Sequence, residues 1–222
     1  ANGPSPGLRQ WFYTITSAPT VRVDGKVFDP NGPFPDAASN FQQQHIDNAY
    51  AAPTSFTMVV RHEFKDADSI IINIDVASSA AYTPSSSTYL RVALTETLHF
   101  TTAPGSNGEL DFHHMVRQMY PNATGTKLTT PFTAGVNQSF EIRALAPSYV
   151  KKGGKVHVSA WLQDDADNKT IHQSAKSPIT FPTSVANHNQ TTEEVNLYPN
   201  PCANITMLTW RAANNGNAEV IV

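Results

Sequence analysis

The cluster with the most obvious chemistry is Asp164, Asp165, Asp167 and Asn168, oxygen-bearing side chains crowded into one short stretch. Hard cations such as calcium take this type of ligand. The same residues also make good hairpin tips, because Asx side chains bond their own backbone, and the glycine and distal glutamate of an EF-hand loop are absent. The turn reading is therefore preferred, and no cofactor is expected; calcium at this turn is the weaker alternative. His113 and His114 are adjacent, so on a strand their rings point to opposite faces and cannot share a zinc ion. His99, His157 and His172 are isolated in sequence. Only a pairing of His157 with His172 across a hairpin would bring two of those rings together.

Catalytic arrangements are hard to assemble. There is no Gly-X-Ser-X-Gly, and the single cysteine, Cys202, lies near the C-terminal end. Glu63, Glu96, Glu109, Asp111 and Glu141 are too scattered to select a carboxylate pair. The expectation is a protein that is not an enzyme. Trp11, Phe12 and Tyr13 are the better candidates for binding a sugar or a peptide, since three successive aromatics cannot all face inward from one strand. Trp161 could join them, although core packing is the commoner use of such rings.

The elements that must position these residues are mostly strands. Ser55 to Arg61, Ser69 to Val76, Thr88 to Glu96, Gln138 to Leu145, Lys155 to Gln163 and Thr170 to Ala175 alternate or are rich in β-branched residues, with turn chemistry between them. In Thr88 to Glu96, Leu90, Val92 and Leu94 face away from Tyr89 and Arg91, which predicts one buried and one wet face. Lys155 to Gln163 and Thr170 to Ala175 read as a hairpin whose polar tip is the Asp164–Asn168 stretch. Asp111 to Met119 fits a helical face or an alternating strand, and strand is favoured. Residues 1–36, rich in proline and glycine, read as loop, a strand Thr20–Asp24 ended by Asp24-Gly25, and loop. A helix is predicted from Asp36 through Tyr50, stopped by Pro53.

At 222 residues and 40% hydrophobic, the chain can bury a core as one large domain or as one domain with smaller attachments. The 15 Lys and Arg against 18 Asp and Glu give a net charge of -3, which supplies no general attraction for nucleic acid. No run of residues is long and apolar enough to span a bilayer. The chain opens on Ala1 without a signal peptide, as expected of a processed or trimmed end. With one cysteine there is no internal disulfide. The polar stretch Thr183 to Glu194 marks a linker, and Val195 opens a second unit with short strands at Ala203–Trp210 and Ala218–Val222 across the turn Asn214–Asn217.

Two resemblances enter on particular residues. Asn196-Leu197-Tyr198-Pro199-Asn200-Pro201, behind a polar linker and before a strand containing Ile205, Met207 and Leu208, resembles the opening of type IX secretion C-terminal sorting domains. Such domains usually run through several more strands and end in a basic-flanked tail, so residues 195–222 would be a partial one. The order Ala18-Pro19-Thr20-Val21-Arg22-Val23-Asp24-Gly25, a helix, Ala52-Pro53-Thr54, Phe112 to Met119, Gly125-Thr126 and Trp161-Leu162-Gln163-Asp164 resembles the rear half of the outer-membrane-protein-28-related family. That family joins a thioredoxin-like part to a β-sandwich. The resemblance implies a cis bond before Pro19, and the chain contains no Cys-X-X-Cys.

These readings combine into a mainly β protein, an Ig-like antiparallel β-sandwich with a short N-terminal α/β remnant and a small C-terminal β segment. The expected divisions are 1–54, the possible end of a thioredoxin-like domain; 55–182, the sandwich; 183–194, a linker; and 195–222, the partial sorting domain. The expected role is a secreted or cell-surface, outer-membrane-associated binding module whose partners are the secretion machinery, through Tyr198, Pro199, Asn200 and Pro201, and a protein or glycan ligand. The alternative is the scaffold of a thioredoxin-like redox protein whose Cys-X-X-Cys lies upstream.

Overall fold

The computed structural model describes residues 5–32, 35–65, 68–151, 155–178, 195–198 and 207–210. The chain divides into two compact units, Ala1–Pro182 and Thr183–Val222. In the first unit, β1 (Phe56–Phe64), β2 (Ser69–Ser78) and β6 (Asn137–Leu145) form a sheet in the order β1-β2-β6, with antiparallel neighbours. A second antiparallel sheet runs β4 (Asp111–Tyr120), β3 (Thr88–His99), β7 (Lys155–Asp164), β8 (Thr170–Lys176), with the short β5 (Thr126–Lys127) also paired to β3. The protein is thus mainly β, two sheets packed as a sandwich.

The layers follow from side-chain alternation. Ile70, Ile72, Ile74 and Val76 of β2 face Leu90, Val92 and Leu94 of β3 and Val156, Val158, Ala160 and Leu162 of β7 in one continuous buried cluster. Each large aliphatic side chain so buried contributes about 1.5–3 kcal/mol relative to exposure. Phe56, Phe132 and Tyr82 close one end of this core with edge-on ring contacts between Phe56 and each of the other two.

One face of β3 departs from expectation. Of the two residues predicted to be wet, Tyr89 is half-buried and Arg91 is 1% exposed, and Ala93 and Thr95 on the same face are 2% and 5% exposed. The outer face of this sheet is covered as well as the inner one: Ala93 packs with Met119, Ala123 and Trp161, and Arg91 lies beneath the ring of Phe12. A strand buried on both faces loses the simple alternation that reveals a wet side.

Over Arg91 the cover comes from a segment the sequence reading missed. Ser5–Phe12 is a helix, α1, where loop was predicted. Pro6 falls in its first turn, where the missing N–H costs no helical hydrogen bond. Thr20–Asp24 is not a strand; the chain there makes isolated bridges, Thr20 with Ala37 and Val23 with Lys26. Asp24 and Gly25, with φ of 47° and 81°, form the tight turn predicted for that dipeptide, closed by reciprocal bonds of Val23 and Lys26. The second helix, α2, starts later than predicted, at Gln43, and ends at Ala51 ahead of Pro53. A short 3-10 turn, Ala38–Asn40, precedes it, and the Gln42 amide donates to His45 Nδ1 at 3.0 Å, so the chain enters the helix at Gln42 rather than at Asp36.

Asp111–Tyr120 is strand, as favoured from its pattern, with irregular register against β3 and a positive φ at His114. The predicted β7–β8 hairpin is present. In the second unit, β9 (Val195–Tyr198) pairs antiparallel with β10 (Met207–Trp210), Tyr198 opposite Met207. The predicted linker 183–194, Pro199, Asn200 and Pro201, and the strand Ala218–Val222 lie outside the described residues.

Candidate functional site

Gln163 sits at the centre of a polar and aromatic cluster on the outer face of the larger sheet. Although fully buried, its Oε1 accepts from Arg91 Nη1 at 2.8 Å, Arg9 Nη2 at 3.1 Å and Trp161 Nε1 at 3.2 Å. Its Nε2 donates to the Tyr13 hydroxyl at 2.9 Å and to the Lys169 carbonyl at 2.6 Å. A buried amide with both ends used in this way avoids the penalty of an unsatisfied polar group and fixes its neighbours in place.

Arg91 is held by the same logic. Besides Gln163 it makes a two-pronged pair with Asp165, Nη1 to Oδ1 at 2.8 Å and Nη2 to Oδ2 at 2.7 Å. Its guanidinium carbon lies 5.0 Å from the Phe12 ring centre and 5.2 Å from that of Tyr89. Arg9 covers the other aromatics, 4.3 Å from Phe12 and 4.8 Å from Tyr13. Burial lowers the Arg9 pKa from its ordinary value; Tyr13 opposes the shift, and the Arg91 charge adds to it. Helix α1 therefore docks through cation–π contacts on a strand-borne arginine.

Of the three predicted binding aromatics, Phe12 and Tyr13 belong to this cluster and Trp11 points away, 80% exposed. Below Tyr13 opens a cleft of about 400 Å³, lined in part by Tyr13, Arg22, Gly25, Lys26, Asn168 and Lys169. Arg22 is paired with Asp36 and donates to the Tyr13 carbonyl at 3.3 Å. Thr14, Gly25, Asn168 and Lys169 all have positive φ where they meet this cleft. The α1 end, the Asp24-Gly25 turn and the hairpin tip thus converge on one spot.

The acidic hairpin tip is drawn into the scaffold. The Asp164 carboxylate accepts from Ser87 Oγ at 2.9 Å and from the Ala166 amide at 3.0 Å. Burial alone would raise its pKa, but the hydroxyls of Ser85 and Ser87 and the amides of Ala166 and Asp167 hold it below the ordinary carboxylate value. Asp165 turns to Arg91, so the two carboxylates serve different partners, while Asp167 and Asn168 occupy the exposed tip. Among the described residues no group of three or more His, Cys, Asp or Glu is arranged to hold a metal ion.

The one pairing the sequence allowed across the hairpin, His157 with His172, does not form. In the hairpin register Gln163 opposes Ile171 and Leu162 opposes Gln173, which leaves His172 at a bulge and His157 past the end of β8. His172 packs on Tyr82 and Phe56. His157 Nδ1 donates to the Ser177 carbonyl at 2.9 Å, and its ring lies 5.5 Å from that of His114. His62, 5% exposed, has Nδ1 2.8 Å from Ser177 Oγ, which accepts the Val158 amide at 2.9 Å. This serine-histidine pair is sealed, with Ser177 1% exposed, and no substrate can reach its oxygen.

The Ala18–Pro19 peptide is cis. Tyr198 closes β9, and the remaining residues of the Tyr-Pro-Asn-Pro motif lie outside the described residues. Sequence reasoning passed over Gln163, because a polar residue at an outward strand position reads as ordinary surface, and over Arg9, Arg22, Lys26 and Lys169, which lie in the N-terminal helix and in turns that read as loop. Arg91 and Gln163 alternating on neighbouring strands of one hairpin-linked sheet was the available signal.

Among the described residues no helix is long and apolar enough to cross a membrane. No known family and no curated protein matches the sequence. The architecture is similar to HBP35 of Porphyromonas gingivalis, with a TM-score of 0.43 and 11% identity over 78% of this chain and 56% of that one. A domain of the outer membrane lipoprotein Omp28 from Porphyromonas gingivalis gives a TM-score of 0.38 and 12% identity over 57% of this chain and 89% of the domain. A beta-glucosidase from Kluyveromyces marxianus is similar over 55% of this chain and 14% of its own length, with a TM-score of 0.27 and 13% identity. This chain spans little more than half of HBP35, and the likenesses assign it no activity.

Proposed function

We propose that this chain is a non-catalytic β-sandwich binding module, exported by type IX secretion to the cell surface or outside, with residues 195–222 as the front part of its sorting domain. The observation that carries the export reading is Tyr198-Pro199-Asn200-Pro201 behind the polar stretch 183–194. The binding reading is supported by the rigid outer face built on Arg91 and Gln163, beside which Trp11 is exposed. Absence of catalysis is supported by the sealed Ser177–His62 pair, the closest approach to a nucleophile and base among the residues described above. Substituting alanine for Tyr198, Pro199 and Pro201 in the full-length protein, in a host with a working type IX system, is expected to trap it in the periplasm. Unchanged surface display of that variant contradicts the proposal.

A further inference from the structure

We infer that the cleft between Tyr13, the Asp24-Gly25 turn and the β7–β8 tip binds an anionic saccharide unit, recognised through its carboxylate or sulfate. The inference rests on the binding half of the proposed function and is independent of export. Arg22, Lys26 and Lys169 line the cleft, and no carboxylate does. Arg22 is committed to Asp36, Lys26 feels the charge of Asp24 and Lys169 Nζ lies 5.3 Å from the Phe12 ring centre, but among the described residues neither lysine has a carboxylate within ion-pair distance. Asp24 and Asp167 flank the cleft without lining it. Behind its wall stand Arg9 and Arg91, which face Asp165. A chain with a net charge of -3 therefore concentrates cations at one concave spot, the arrangement that draws an anion.

The remaining lining favours a sugar as the carrier of that charge. The Tyr13 hydroxyl accepts from Arg9 Nη2 and from Gln163 Nε2, both at 2.9 Å, so its lone pairs are engaged and its own proton is left to donate. The Asn168 amide adds a donor and an acceptor at the rim. Apolar lining is confined to Val27 and Pro30 beside the Tyr13 ring, too little for a hydrophobic peptide anchor. About 400 Å³ accommodates one saccharide ring. The positions are fixed beforehand, since Gln163 ties Tyr13 and the Lys169 carbonyl to the sheet.

The test is calorimetric titration of the protein with a galacturonate oligomer, a sulfated heparin disaccharide and the neutral maltotriose, comparing wild type with the Lys26→Gln/Lys169→Gln double variant. Among the described residues neither side chain is in an ion pair, although Lys169 Nζ lies 5.3 Å from the Phe12 ring centre, and an unchanged melting midpoint verifies folding. Binding of at least one acidic sugar, weakened at least about tenfold in the double variant and weakened as salt rises from about 0.05 to about 0.5 M, is expected. The carboxylate and sulfate arms identify which group is preferred. Equal affinity for maltotriose, acidic affinity unchanged in the double variant, or no binding in any arm overturns the inference. Equal affinity for maltotriose leaves the broader binding reading standing, and surface localisation is read separately in every case.

Discussion

His62 makes the stability of the sandwich depend on pH in a defined window. His62 Nδ1 lies 2.8 Å from Ser177 Oγ, which also accepts the Val158 amide, so the ring is held in the buried interior. Burial first, and the neighbouring His157 second, push its pKa from 6.5 down to about 4. The unfolded chain therefore takes up a proton near pH 6.5 while the folded one resists until about pH 4, and stability is present above the first value and lost progressively toward the second. A displacement of this size corresponds to at most about 3.5 kcal/mol at about 1.4 kcal/mol per pH unit, and solvent screening brings it to about 2 kcal/mol. At about 2–4 °C per kcal/mol the melting midpoint should fall by about 4–8 °C more in wild type than in His62→Gln between pH 7 and pH 4.5. His172 and His114, whose pKa values burial also lowers, act in the same window but cancel in this difference. Calorimetry of both proteins across that range decides it, and parallel loss in the two refutes the reasoning.

Arg91→Met should cost about 2–4 kcal/mol, since it leaves Gln163 buried and Asp165 without its two-pronged partner; chemical denaturation measures it, and a cost below about 1 kcal/mol contradicts the docking role of Arg91. Gly25→Ala should lower the midpoint by several degrees, because φ is +81° and an added Cβ collides with the Lys169 carbonyl oxygen; an unchanged melt contradicts this. Because the Asp164 and Asp165 carboxylates are engaged by Ser87 and Arg91, melting with excess calcium and with chelator should give the same midpoint, and a rise with calcium shows a site at the tip.

Much of the sandwich was legible because its strands obey short-range rules. Ser69–Ser78 and Lys155–Asp164 are β-branched runs between turn residues, and Asp24-Gly25 is a tight-turn dipeptide by backbone chemistry alone. Helix α1 was not legible, because Pro6 and Gly7 read as loop and its support is an arginine about eighty residues away in sequence. For the same reason Arg91 was read as wet: alternation tells which residues share a face but not whether a second layer covers it. The cluster around Gln163 is a product of register between β3 and β7 and of the docked N-terminal segment, and neither is encoded within a window of local sequence.

On the proposed function the sandwich is exported in order to bind. Protease accessibility of the full-length protein on intact cells, with and without a functional type IX secretion system, tests this most directly. Cleavage from outside is expected only when the system works, with the protein accumulating internally when it is disabled. The same cell-surface cleavage in both strains, or protection from protease in both, contradicts it.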